Sequence, residues 1–354
     1  MAIIVPCAGK SSRFPKTRPK YLLTMYDGQL MLQKCIENIK YNKQRIYFVI
    51  LKEHDYKYGS KKLIEKIFNN SKKIKVVVLQ NETSGPAETV YKISKKLANK
   101  EPLYIKDCDS FFNQKFKIQN SVAVVNLSKN KKISNISAKS FVTKNSQDLV
   151  TNIVEKSVVS NLISVGGYSF AKSEVFNEAY KEVSKNVKTE LFVSNIIRHA
   201  LIKTPFISDE VTNYVDVGTY DDFVNYNHSH PTIFCDIDGT IVFNQSKFFK
   251  KNNYLTEAKP IPNAIKFLLK KQSEGSFIIF TTSRDAFYKK VTNTLLKKHG
   301  FKNFKIIFNL PHSPRVVIND HDVTNPYPTA ISINPPRDNN EYWSKFDLAK
   351  KKFK

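Results

Sequence analysis

Short apolar runs alternate with longer amphipathic stretches along most of this chain. Ala2-Ile3-Ile4-Val5-Pro6, Ile74 to Leu79, Leu103-Tyr104-Ile105, Thr232 to Cys235, Phe277-Ile278-Ile279-Phe280 and Val316-Val317-Ile318 are brief and rich in Val and Ile, the pattern of buried strands. Met31 to Ile39, Lys61 to Phe68 and Pro262 to Lys271 are lysine-rich amphipathic stretches of helical character. Strand and helix in alternation predict an α/β fold with mainly parallel sheets. No internal repeat at a fixed period is present.

The 354 residues exceed one typical domain and suffice for two cores. Asn225-Tyr226-Asn227-His228-Ser229-His230-Pro231 is polar, ends in proline and directly precedes an apolar run, so domains are expected at residues 1–228 and 231–354. Cys7, Cys35, Cys108 and Cys235 form no C-x-x-C pair, Met1 to Pro6 is too short for a signal peptide, and no apolar run reaches the length of a membrane span. A cytoplasmic protein with reduced thiols is expected.

The formal net charge of +26 raises nucleic acid or an anionic membrane as a partner. The cations are nearly all lysine, however, spread over every amphipathic segment, which reads as compositional habit and excludes nucleic acid as the main partner. Phosphorylated substrates gain from the same field. His228 and His230 have no Cys or acid partners at zinc spacing and read as linker.

Chemistry is concentrated first at Phe234-Cys235-Asp236-Ile237-Asp238-Gly239-Thr240. Two acids two residues apart point to one side of a strand, and Gly239 lets the chain leave the sheet so that both reach a substrate. One carboxylate can attack phosphorus while the other handles protons. This D-x-D-G-T run resembles the first motif of the haloacid dehalogenase (HAD) superfamily, which implies Asp236 as nucleophile and Asp238 as general acid and base. Phe277 to Arg284 resembles the second motif, with Thr282 holding the transferring phosphoryl group. Arg315-Val316-Val317-Ile318-Asn319-Asp320-His321-Asp322 resembles the fourth, which implies Mg²⁺ on Asp236, Asp238 and Asp320, with Asn319 or Asp322 assisting. For the cation of the third motif Lys302, Lys305 and Arg315 are candidates, and Lys305 is chosen. About 35 residues separate the first and second motifs, too few for a large inserted cap.

At the other end, a strand feeds Cys7-Ala8-Gly9-Lys10-Ser11-Ser12-Arg13-Phe14 and then Pro19-Lys20. Small residues at Gly9, Ser11 and Ser12 let backbone N–H groups approach phosphates, and Arg13 and Lys20 can neutralise a triphosphate and a leaving pyrophosphate. No Walker A or G-x-G-x-x-G pattern occurs. The opening resembles the signature of nucleotidyltransferases that make nucleotide sugars, although Lys10-Ser11-Ser12 is closer to relatives acting on molybdenum cofactor.

Four later elements follow that family's order. Gln80 to Val90 resembles its base-recognition loop, with Gln80 and Gly85 facing the nucleobase. Leu103 to Phe112 carries Asp109 as the implied metal ligand, with Asp107 as helper. Glu155-Lys156 and Gly166-Gly167-Tyr168 resemble elements that hold the acceptor phosphate and sugar, and Asp216 stands for the second Mg²⁺ ligand.

The resemblances imply an N-terminal Rossmann-like, GT-A-like nucleotidyltransferase domain and a C-terminal Rossmannoid HAD domain without a large cap. The expected activities are Mg²⁺-dependent transfer of a nucleotidyl group from a nucleoside triphosphate to a sugar or polyol phosphate, and hydrolysis of a phosphate monoester, in the synthesis of a surface polysaccharide precursor. Because Asp107-Cys108-Asp109 is also a D-x-D, a glycosyltransferase using a nucleotide sugar is the alternative, and the HAD domain could be a degenerate binding module. The sequence leaves the oligomeric state open.

Overall fold

Every apolar run named above but one forms a strand in the computed structural model, which describes residues 1–14, 17–39, 44–115, 117–130, 133, 135–186, 189–244, 258–319 and 330–348. The chain divides into two compact units, Met1–Phe223 and Val224–Lys354. The first contains strands β1 (Ala2–Pro6), β2 (Arg45–Leu51), β3 (Ile74–Leu79), β4 (Leu103–Lys106), β5 (Ser110–Asn113), β6 (Ser121–Asn126), β7 (Ser140–Lys144), β8 (Val150–Glu155), β9 (Leu162–Phe170), β10 (Ile207–Glu210) and β11 (Thr212–Asp216). Its helices are α1 (Met31–Glu37), α2 (Lys52–Tyr58), α3 (Ser60–Ile67), α4 (Pro86–Ser94), α5 (Ser173–Asn186) and α6 (Val193–Ala200), while α7 (Tyr220–His228) runs across the division.

The main sheet has the order β10-β6-β9-β4-β1-β2-β3, with β7 paired to β9 and β8 to β7. β4, β1, β2 and β3 are parallel, joined by helical crossovers, as the alternation of runs predicts. The other half corrects the expectation of a mainly parallel sheet. β9 is antiparallel to β4 and β6, which lie well before it in the chain, and β7 is antiparallel to β8 across a short connection that permits hairpin pairing.

β1 illustrates how the core forms. Ala2, Ile3, Ile4 and Val5 are all fully buried, as a central strand covered on both faces requires, and Ile3, Ile4 and Val5 each contribute roughly 1.5–3 kcal/mol by burial. On α6 the residues Val193, Ile196, Ile197 and Ala200 fall on one face and join the same core as β1 and β4. All four cysteines are free and buried. Among the described residues no helix is long and apolar enough to cross a membrane.

The second unit is built on three parallel strands, β12 (Thr232–Asp236), β13 (Phe277–Thr281) and β14 (Phe304–Ile307), in that order. Its helices are α8 (Pro262–Ser273), α9 (Lys289–Lys298) and α10 (Asn340–Lys345). α10 packs on α8 through aromatic contacts, with Phe267 and Trp343 ring centroids 5.5 Å apart. The exceptional run is Val316-Val317-Ile318, expected as a strand. It pairs with no described strand and is 80%, 60% and 93% exposed, while β14 is the strand that pairs with β13 on the side away from β12.

Candidate active site

Sheet pairing brings three acids of the first unit together. Asp107 and Asp109 occupy the turn between β4 and β5, and β5 pairs antiparallel with β11 so that Asp216 lies opposite Ser110. The Val217 N–H donates to the Asp109 carbonyl at 2.9 Å, closing the ribbon at its acidic end. A Cβ at Gly218 would stand 3.0 Å from Asp216 Oδ1 and 3.3 Å from Asp109 Oδ2, so the two carboxylates converge on Gly218, where a side chain could fit only if they gave way by a few tenths of an ångström. Thr219 caps α7, exchanging hydrogen bonds with Asp222.

Lysines hold both acids. Lys20 Nζ lies 2.6 Å from Asp109 Oδ2, Arg13 Nη2 lies 3.8 Å from the same oxygen, and Lys139 pairs with Asp216. Burial works against the ionised form of Asp109, but Lys20 and then Arg13 override it and hold its carboxyl well below the usual range. Burial, followed by the charge of Asp109, pushes Asp107 up to about 6. Asp216 is raised by burial in spite of Lys139. Burial alone lowers Lys20, yet the Asp109 carboxylate reverses this and raises it.

The turn that carries the acids is fixed from beneath by Lys106, a residue sequence reasoning missed. Its fully buried ammonium donates to the carbonyls of Asp107 and Ser110 and to the Ser110 hydroxyl at 2.8, 2.6 and 2.7 Å. Lys139 was missed as well. A lone lysine in a lysine-rich chain carries no sequence signal, whereas an apolar strand that ends in lysine, as Leu103-Tyr104-Ile105-Lys106 does, offered one.

These groups border a cavity of about 140 Å³ lined by Arg13, Asp107, Asp109, Lys139, Glu155, Gly166, Tyr168, Phe192, Ser194, Asp216 and Gly218, among others. Glu155 is oriented by the hydroxyls of Ser140 and Ser194, the latter at 2.6 Å. A larger open depression of about 510 Å³ beside Thr151, Asn195 and Arg198 has no carboxylate in its lining.

Other sequence candidates fall elsewhere. Ser11 Oγ accepts from the Lys20 N–H at 3.1 Å and so ties the loop to the lysine it presents, while Gly9 has open space around it and Ser12 is exposed. Gln80 is exposed and outside the lining. Gly85 serves packing, since a Cβ there would lie 2.6 Å from the Leu191 carbonyl oxygen. Gly167 likewise belongs to the core: a Cβ would meet Tyr104 Oη at 2.5 Å and Phe112 Cζ at 2.7 Å, and Gly166 lines the cavity instead. Lys156 lays its ammonium 4.7 Å over the Phe192 ring and does not border the cavity.

In the second unit Asp236 ends β12 and Gly239 takes φ 90°, with the Gly239 N–H donating to the Val242 carbonyl at 2.7 Å. The turn places Asp238 just past the strand end that carries Asp236. Crowding that desolvates its carboxylate, and then the Asp238 charge, raise Asp236. Arg284 donates to both oxygens of Asp238, at 2.7 and 2.8 Å. Thr282 is buried and its hydroxyl oxygen accepts the Arg284 N–H at 3.0 Å. Lys305 is an exposed residue of β14, and the cation whose charge acts on Asp236 is Arg315. Asp320 and Asp322 lie outside the described residues.

Comparison with known proteins bears on the first unit. A family model described as nucleotidyl transferase matches residues 7–232. A nucleoside-diphosphate-sugar pyrophosphorylase from Vibrio cholerae is similar at 21% identity and a TM-score of 0.54, over 63% of this chain and 98% of its own. The inositol-1-phosphate CTP transferase from T. maritima is similar at 16% identity and a TM-score of 0.50, over 62% and 90%. At these identities the two structures share the fold. No curated protein matches the chain. The acids at the ends of β4 and β11, facing the Arg13 and Lys20 loop, thus stand in a chain matched over residues 7–232, and it belongs to the nucleotidyl transferase family.

Proposed function

We propose that the first unit transfers a nucleotidyl group from a nucleoside triphosphate to a sugar phosphate or polyol phosphate. The observation that carries this reading is the convergence of Asp109 and Asp216 on Gly218, with Lys20 and Arg13 on the same carboxylate. An acceptor phosphate oxygen forms a bond to the α-phosphorus as the bond to the bridging oxygen breaks and pyrophosphate leaves. No protein nucleophile is needed. Arg13 and Lys20 neutralise the triphosphate and stabilise the departing charge, and the Gly9 to Ser12 backbone approaches its phosphates.

The donor set suits Mg²⁺. Two carboxylates meet at Gly218. That matches a cation that takes one or two protein carboxylates and fills its remaining positions with water and substrate phosphate. Asp109 and Asp216 would hold it, and when bound it supplies charge stabilisation at the reacting phosphate. Glu155, fixed by two serine hydroxyls, is placed to accept from acceptor hydroxyl groups. Family membership, together with the basic loop at Arg13 and Lys20, favours this reading over a glycosyltransferase. A phosphorus NMR time course with Mg²⁺, one triphosphate at a time and a pool of sugar 1-phosphates and polyol phosphates tests it. Pyrophosphate and a new diphosphate diester are expected, and an intact triphosphate with every acceptor rejects it.

For the second unit we propose HAD-type hydrolysis of a phosphate monoester in the same pathway, the making of a surface polysaccharide precursor. Asp236 attacks phosphorus, the ester oxygen leaves with a proton from Asp238, and water then cleaves the aspartyl phosphate. Mg²⁺ would rest on Asp236, with Asp238 and Asp320 as the further ligands the resemblance implies. One observation favours the second reading, a binding module without turnover: Arg284 occupies both oxygens of Asp238, which must be released before that acid can move a proton.

A further inference from the structure

Two lysines neutralise the carboxylates that converge at Gly218, and they come from different elements. Lys20 belongs to the loop that follows β1, whereas Lys139 directly precedes β7, and its carbonyl accepts the Lys156 N–H at 3.0 Å. That hydrogen bond sets Lys139 beside Glu155, the residue following it in the chain being Ser140, which holds the Glu155 carboxylate. Lys156, to which the family resemblance assigns the acceptor phosphate, is stacked on Phe192 and absent from the cavity lining. Among the described residues Lys139 is the lysine that lines the cavity.

We propose that Lys139 binds the phosphate of the acceptor, and that it reaches that phosphate by leaving Asp216 when a divalent cation takes the carboxylate. The proposal rests on the transferase reading of this cavity. An unpaired charge in a partly buried site is costly, and the exchange leaves none: Asp216 trades an ammonium for the cation, and Lys139 trades a carboxylate for a phosphate. Lysine suits the exchange, because its compact ammonium carries three donors on a flexible stem and can turn from one oxygen to another without backbone movement. The cavity it lines also holds Asp107, Asp109 and Glu155, with Arg13 the other cation there. Besides Asp216, Lys139 acts on Asp107 and Asp109, so in the absence of a metal its charge is needed where it stands.

The test uses the full-length chain as wild type, Lys139→Met and Lys139→Arg. Mn²⁺ binding is read by electron paramagnetic resonance, and binding of inorganic phosphate with Mn²⁺ present is read by calorimetry. Without its competitor, Asp216 in Lys139→Met should bind Mn²⁺ several-fold more tightly, while inorganic phosphate should bind about tenfold more weakly for loss of a charge-assisted contact. Lys139→Arg should restore the phosphate binding. In turnover, Lys139→Met should raise KM for the phosphorylated acceptor more than it lowers kcat. If Lys139→Met is unstable, Lys139→Gln, which still hydrogen-bonds Asp216, takes its place with the same expectations. Unchanged phosphate affinity in folded Lys139→Met or Lys139→Gln, or weaker Mn²⁺ binding by either, overturns the proposal. A wild-type chain that binds both ligands but releases no pyrophosphate counts instead against the transferase reading, and pyrophosphate release with both affinities indifferent to residue 139 removes this role alone.

Discussion

The buried ammonium of Lys106 donates to both the carbonyl and the hydroxyl of Ser110, at 2.6 and 2.7 Å, and so ties the end of β4 to the start of β5. With the Asp107 carbonyl as third acceptor, all three ammonium donors are used. Lys106→Met, close in volume, leaves those oxygens buried without a partner. It should lower stability by about 2–4 kcal/mol and loosen the turn that bears Asp109. Urea unfolding of the variant checks the first effect and pyrophosphate release the second. A variant as stable as wild type would show that the ammonium contributes nothing net.

Gly218 offers a sharper probe of the site, because its added Cβ would sit 3.0 and 3.3 Å from the two carboxylate oxygens. Gly218→Ala must displace Asp216 or Asp109 by a fraction of an ångström. Pyrophosphate release should fall by about 100-fold while the melting temperature changes little, since displaced catalytic groups cost far more in rate than in stability. Activity near that of wild type would mean that the two acids do not act together.

The strands were legible because apolar runs followed by loops leave little choice of conformation; β1 and β3 have the bounds that their Val and Ile runs suggest. Acids at strand ends were legible for the same reason, and Asp109 and Asp216 do meet. What was not legible depends on pairing. No pattern in the sequence announces that Lys139 lies against Asp216, 77 residues away, or that Gly166 and not Gly167 borders the cavity, since that follows from which face of β9 turns toward Tyr104. The run Val316-Val317-Ile318 misled because hydrophobicity alone does not supply a paired edge.

Gly167→Ala separates packing from binding. Its Cβ would press on Tyr104 Oη, Phe112 Cζ and Ala123 Cβ at 2.5, 2.7 and 2.9 Å, inside a sheet that cannot shift freely. A loss of about 1–3 kcal/mol is expected from overpacking, with KM for nucleotide and acceptor unchanged at temperatures where the variant is folded. A raised KM at full stability would return Gly167 to the binding surface.

His54 supplies a pH dependence apart from the site. It is buried on α2 near the Tyr21 ring, its Nδ1 has no hydrogen-bond partner among the described residues, and burial lowers its pKa below the ordinary value of 6.5. A depressed histidine stabilises the fold above its unfolded pKa, and that contribution is lost as pH falls through the folded value, because the unfolded chain then binds a proton the folded chain resists. His54→Phe should therefore lessen the drop in melting temperature between pH 7.5 and about pH 5.5. An identical drop in both proteins would show that His54 does not titrate differently on unfolding.

The two readings of the second unit diverge at Asp236 and Arg284. If Asp236 is the nucleophile, Asp236→Asn abolishes release of inorganic phosphate from phosphate monoesters, a loss of at least about 1,000-fold, and leaves pyrophosphate release by the first unit intact. Arg284→Ala then decides what the bidentate pair with Asp238 does. Should the pair keep Asp238 in position, its loss lowers phosphatase activity along with stability, since it leaves the partly exposed Asp238 without its cation. Should it restrain Asp238 from proton transfer, the variant hydrolyses faster than wild type. A wild-type chain with no phosphatase activity that neither variant alters, yet with phosphate bound to the unit, would make this second unit a binding module.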